Sequence, residues 1–220
     1  MAQQLIVEGK DAIVVANLLK KRGLPPPKDY TNPTKFRDEF VLNAGGYDKV
    51  LIALREALDK PDLANIGLVI DANEAGAAAR WQAIVNILLD KLPEEVIHNV
   101  PLQANGMLIT GENLPRIGIW IMPDNQSNGY LEHFIAGMVP DGDSLWRYAE
   151  KTITSLESEG LSRFPPAKRQ KALLHTWLSW QDEPGRPFGQ AVELGYLNAQ
   201  NPAADSFVQW FQQTFQLEGT

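Results

Sequence analysis

Residues 5–11 read L-I-V-E-G-K-D, three apolar residues running straight into an acid, a glycine, a lysine and a second acid. A short apolar run bounded by such a turn reads as a buried strand. Its charged end has two readings. It is an ordinary strand-to-helix turn, or it holds the Glu8 carboxylate out at the carboxyl end of a sheet to do chemistry. Residues 11–21 follow with helical spacing and stop at Gly23 and Pro25-Pro26-Pro27.

The same alternation recurs three times. Residues 40–43 form a second strand that stops at Ala44-Gly45-Gly46, before a helix with Tyr47, Val50, Leu51, Leu54 and Leu58 on one face. Residues 66–70 form a third strand running into Asp71, and the next helix buries Trp81, Ile84, Val85 and Leu88. Residues 117–122 form a fourth, ending in Pro123-Asp124-Asn125 before a helix over 129–139. Apolar strands alternating with amphipathic helices imply an α/β fold, a mostly parallel sheet of about four strands covered on both faces. Ligands of such sheets gather beyond the carboxyl ends of the strands. Glu8, Gly45-Gly46, Asp71 and Asp124 are therefore delivered to one edge.

Beyond Pro140 the pattern turns helical, over 143–159, 167–180 and 206–215, with a Pro- and Gly-containing loop at 184–189. The expected division is an α/β domain over 1–140 and a helical C-terminal extension over 141–220 packed on it. Trp146, Trp177, Trp180 and Trp210 in the extension read as core.

Composition narrows the chemistry. The 220 residues are 44% hydrophobic and 21% charged, without cysteine and with three histidines, so thiolate metal sites are excluded and a metal would be held by oxygen or imidazole. Carboxylates favour Mg²⁺ or Mn²⁺. No apolar run approaches the roughly 18 residues of a membrane span, and no signal pattern opens the chain, so the expectation is a cytoplasmic protein with no membrane partner. A net charge of −7 predicts weak binding to nucleic acid unaided, because affinity comes largely from neutralising phosphates. The two basic clusters, Lys20, Lys21, Arg22 and Lys28, then Arg163, Lys168, Arg169 and Lys171, read as solvated helix faces.

Taken together, L-I-V-E-G-K-D, the diglycine Gly45-Gly46 and V-I-D-A-N-E-A-G-A-A-A-R at residues 69–80 resemble the Toprim domain of topoisomerases, bacterial primases and OLD-type nucleases. I-W-I-M-P-D-N at 119–125 and G-Y-L-E at 129–132 resemble a branch of small bacterial Toprim proteins related to the OLD nucleases. The resemblance implies a Toprim-like, Rossmann-like sheet and a nuclease using one or two Mg²⁺ or Mn²⁺ ions, with an ATPase partner, in phage defence or DNA repair. It makes Glu8 a metal ligand or general base and Asp71 a ligand, with Asn73 and Glu74 a weakened ligand pair. Lys10 would stabilise phosphoryl charge, Asp124 and Glu132 would serve a second ion, and Gly45, Gly46 and Arg80 would approach phosphate. Asn73 departs from the family's D-x-D pattern, and an amide in place of a carboxylate holds the ion less tightly.

Each station also has a structural reading. Asp71 or Asn73 suits a helix cap, the diglycine a turn at positive φ, Lys10 a solvated helix start, and Arg80 an ion pair with a nearby acid. The histidines, His98, His133 and His175, read as non-catalytic. The competing function is a degenerate Toprim module acting through protein contacts, and a cyclic homodimer is the commonest assembly at this size.

Overall fold

A computed structural model describes residues 2–9, 12–24 and 40–217 of the chain. Its strands are β1 (Ala2–Val7), β2 (Val41–Asn43), β3 (Leu63–Asp71), β4 (Met107–Ile109) and β5 (Arg116–Met122). The helices are α1 (Ala12–Lys21), α2 (Tyr47–Leu58), α3 (Ala77–Leu89), α4 (Glu94–His98), α5 (Leu131–Ala136), α6 (Ser144–Ser158), α7 (Arg169–Leu178), α8 (Phe188–Leu194) and α9 (Asp205–Phe215). Lys10, Asp11 and Lys28 lie outside the described residues.

The five strands form one sheet in the order β2-β1-β3-β5-β4. The first four of these run parallel, and β4 closes the edge antiparallel to β5 with Met107 opposite Ile119. The sheet thus has one strand more than the expected four. β4 is only three residues long, too short to show a period.

Alternation along the strands sorts the core into two layers. Leu5, Val7, Val69, Trp120 and Met122 point to one face and pack with α1, α5, α7, α8 and α9. Ile6, Leu68, Ile70, Ile119 and Ile121 point to the other and pack with α2 and α3. These strand residues are at most 2% exposed, and burying each contributes about 1.5–3 kcal/mol. Because α1 follows β1 on one face and α2 follows β2 on the other, the chain reverses its winding between β1 and β3. That switch point leaves a crevice at the carboxyl ends of these two strands.

The C-terminal helices build the first of these layers. Gly67 of β3 and Gly118 of β5 are register partners, and side chains there would collide with α9. A Cβ at Gly118 would sit 1.9 Å from Thr214 Oγ1, and one at Gly67 2.6 Å from Phe215. The bare glycine pair is what lets α9 lie against the sheet. Trp177 and Trp210 are buried, whereas Trp180 is 39% exposed beside Tyr148, so one of the four expected core tryptophans lies at the surface.

The 184–189 stretch ends inside α8. Pro187 precedes this helix and Gly195, at φ 82°, terminates it. α8 packs closely on α1: Asn17 Nδ2 donates to the Gly189 carbonyl at 2.8 Å, and Lys20 pairs with Glu193 at 3.2 Å. Arg22 donates to the Asn201 carbonyl and pairs with Asp205 at 2.7 Å. Arg22, read from sequence as part of a solvated face, is instead a latch between α1 and the C-terminal layer.

Candidate functional site

The residue after β1 and the last residue of β3 meet across the crevice. Glu8 donates its N–H to the Val69 carbonyl at 3.2 Å, and its own carbonyl accepts from Gly46 N–H at 3.0 Å. The backbone of Glu8 is therefore fixed by both neighbouring strand ends. Its Oε2 accepts a hydrogen bond from Asp71 N–H at 3.1 Å. Asp71 in turn accepts, through Oδ1, from Leu131 N–H at 2.9 Å, at the first residue of α5. Two carboxylates at the ends of the central strands are thus each oriented by a backbone donor, and both residues are partly buried.

The other predicted residues divide. Asn73 stands at φ 54° and forms a two-way bridge with Gly129, its N–H donating to the Gly129 carbonyl at 2.8 Å. This bridge pulls the segment after β3 against the loop before α5, while Glu74 remains exposed. Gly45 and Gly46, at φ 78° and 134°, turn the chain with open space around both.

Arg80 differs from its ion-pair reading. Its guanidinium lies 3.7 Å from the centre of the Tyr47 ring, and its Nε donates to the Ala72 carbonyl at 3.3 Å. It pairs with no acid among the described residues, so the site keeps its full positive charge.

Asp124 is folded back on its own turn. Its Oδ1 accepts from the N–H groups of Gln126 at 3.0 Å and Ser127 at 2.7 Å, and its Oδ2 accepts from Ser127 Oγ at 2.8 Å. Burial works to raise the carboxyl, but these hydrogen bonds outweigh it and hold Asp124 below the ordinary aspartate range. Both oxygens serve the turn, so Asp124 is a turn-former here.

Glu132 is engaged as well. Its side chain, 15% exposed, accepts from Lys171 Nζ at 2.9 Å. Lys171 belongs to α7, so the extension reaches into the edge of the sheet.

A cavity of about 210 Å³ opens here, lined by Asp71, Tyr130 and Glu132 from the sheet side and by Lys168, Gln170 and Lys171 from the extension. A neighbouring one of about 380 Å³ shares Tyr130 and Gln170 and is bordered by Asn73, Glu74, His133 and Arg169. Tyr130 borders both. Burial, then the negative charges of Glu74, Asp71 and Glu132, raise its phenol, while Arg80 opposes them. The hydroxyl therefore stays protonated at neutral pH as a donor. His133 stacks on Tyr130, and its Nδ1 accepts from Tyr130 N–H at 3.2 Å.

Tyr130, Lys168, Gln170 and Lys171 are site residues that motif reading does not single out. Lys168 and Lys171 are three apart at a helix start and share a face, but nothing in the sequence says that this face meets Asp71.

Residues 2–216 match a family model described as protein of unknown function (DUF3226). The chain belongs to the DUF3226 family. No curated protein and no solved structure matches it. The DUF3226 match runs through both halves of the cleft, from Glu8 and Asp71 to Lys168 and Lys171.

In this DUF3226 chain the donors fit a hard cation in part. No group of three or more acids and histidines converges as a metal cage among the described residues, and Asp124 and Glu132 are committed elsewhere. Glu8 and Asp71 remain as two oriented carboxylates. Mg²⁺ is commonly held by one or two carboxylates, with waters and substrate phosphate completing its shell, so this pair suits one ion.

Proposed function

We propose that the chain is a Toprim-type phosphodiesterase that cleaves nucleic acid with Mg²⁺ or Mn²⁺, Glu8 and Asp71 being the residues that hold the ion. The observation that carries this reading is the Glu8 to Asp71 hydrogen bond at 3.1 Å, located at the switch point of the sheet. The ion, when bound, supplies Lewis-acid polarisation of a phosphoryl oxygen and acidifies a water. Glu8 and Asp71 are pre-oriented for it because a backbone N–H accounts for one oxygen of Glu8 and another backbone N–H is held by Asp71. Arg80 holds a positive charge close to the same edge, fixed by Tyr47 and the Ala72 carbonyl. Tyr130 offers a hydroxyl donor inside the cleft.

The net charge of −7 supports delivery of nucleic acid by a partner, and an ATPase is the partner class that the Toprim resemblance suggests. The direct test is incubation of purified protein with plasmid DNA, single-stranded DNA and structured RNA in Mg²⁺ or Mn²⁺. Cleavage is expected in the wild type and is expected to fall roughly 100-fold or more in Glu8→Gln and Asp71→Asn, the scale of losing one transition-state stabiliser. No cleavage by the wild type, or equal cleavage by the variants, contradicts the proposal.

A second reading, a degenerate Toprim module acting through protein contacts, is favoured by one observation: both acids expected at a second ion are committed to Ser127, Gln126 and Lys171. Calorimetry separates the two, since a degenerate module takes up no Mn²⁺.

A further inference from the structure

We infer that Lys171 occupies the place of a second divalent cation, so that the cleft is built to take one metal ion and to supply its other positive charge from the protein. This inference rests on the metal-dependent reading above. Glu132 is the acid that sequence assigned to a second ion, and its carboxylate, 15% exposed, receives the Lys171 ammonium at 2.9 Å. Lys171 and Glu132 line the same cavity as Asp71, and with the Lys171 side chain 51% exposed the ammonium stands at the mouth of the cleft.

The arrangement is held from behind. Lys171 is the third residue of α7, and α7 is fixed by buried Leu173, Leu174, Trp177 and Leu178. One turn along, His175 packs on Phe188 with ring centres 5.0 Å apart. The ammonium is thus carried by an anchored helix, not by a loop free to swing away.

Charge accounting favours the same conclusion. Within this cavity Asp71 and Glu132 stand against Lys168 and Lys171, two negative groups against two positive ones. Lys168 has no acid partner among the described residues, so it is available to a phosphate. These four groups balance one another without a second divalent ion. Evicting Lys171 to admit a second ion would also leave a mostly buried carboxylate to be re-paired, at a cost in affinity.

The test is Mn²⁺ binding to the full chain, followed by calorimetry and by electron paramagnetic resonance of the bound ion. Wild type is expected to take one Mn²⁺ per chain. Lys171→Met, which frees Glu132, is expected to take a second, while Lys171→Arg, which keeps the cation, stays at one. Glu132→Gln is expected to bind the single ion within about twofold of wild type, since Mg²⁺-type sites need only one or two carboxylates; this variant serves if Lys171→Met fails a melting control. Two ions in wild type, or one in a folded Lys171→Met, would each overturn the inference while leaving metal binding at Glu8 and Asp71 intact; loss of the ion in Glu132→Gln would make Glu132 a ligand of that ion and overturn the inference too. No ion in wild type would overturn the metal reading itself and the inference with it.

Discussion

Glu8 accepts a hydrogen bond from the backbone N–H of Asp71 at 3.1 Å across 63 residues of sequence. The contact ties the residue after β1 to the last residue of β3, and it orients a carboxylate with a donor that no side-chain mutation elsewhere removes. Glutamine at position 8 keeps an acceptor for that N–H but loses the charge. Glu8→Gln is therefore expected to melt within about 1 kcal/mol of wild type, yet to bind Mn²⁺ at least about tenfold more weakly. Paired melting and calorimetry check it, and a variant that binds Mn²⁺ as wild type does would remove Glu8 from the site.

Asp71 has a second duty, accepting from Leu131 N–H at the start of α5. Asp71→Asn preserves an acceptor there and Asp71→Ala does not. The alanine variant is expected to lose about 1 kcal/mol more stability than the asparagine variant, the usual scale of a lost helix cap. Both are expected to lose Mn²⁺ affinity alike. Chemical denaturation of the two variants side by side measures the difference.

Asp124 is expected to matter for stability alone. Removing the acceptor of two N–H groups and a hydroxyl in Asp124→Ala is expected to cost about 0.5–2 kcal/mol, with Mn²⁺ affinity unchanged. Its folded carboxyl is held below the ordinary range, so the charged form is the stabilising one. The stability it contributes is present above the unfolded aspartate pKa, about 3.9, and is lost as pH falls through the lower folded value. The gap in stability between wild type and Asp124→Asn should accordingly be larger at pH 6 than at pH 3, as denaturant titrations at the two values would show.

The glycine pair under α9 makes a prediction about the extension. At Gly118→Ala the new Cβ meets Thr214, and overpacking of this kind costs about 1–3 kcal/mol. At about 2–4 °C per kcal/mol for a chain of this length, the melting midpoint should fall by about 2–12 °C. An unchanged midpoint would mean that α9 does not rest on β5 as described.

What sequence could reveal here follows from whether the signal is local. Glu8 and Asp71 were legible because each follows or ends an apolar run, and strand ends in a parallel sheet share an edge. β4 was not, because Met107–Ile109 pairs with β5 through backbone contacts that three residues cannot announce. α8 was hidden behind Pro184, Gly185, Pro187 and Gly189, although Pro187 and Gly195 act as its start and stop. For Asp124 the sequence leaves both roles open, since an acid at a strand end suits a metal ligand or a turn, and the hydrogen bonds from Gln126 and Ser127 to both of its oxygens depend on the folded turn. Lys171 reads from sequence as part of a solvated helix face because its partner Glu132 lies 39 residues away, and the packing of α7 against α5 is not a local property of either helix.

The most direct test of the account is a crystal structure of the full chain soaked in Mn²⁺, with anomalous density measured at the carboxyl edge of the sheet. One peak is predicted, within ligand distance of a Glu8 oxygen and an Asp71 oxygen, with the Lys171 to Glu132 pair intact. An edge without a peak at saturating Mn²⁺, or a peak held by Asp124 and Glu132 in place of that pair, would contradict it.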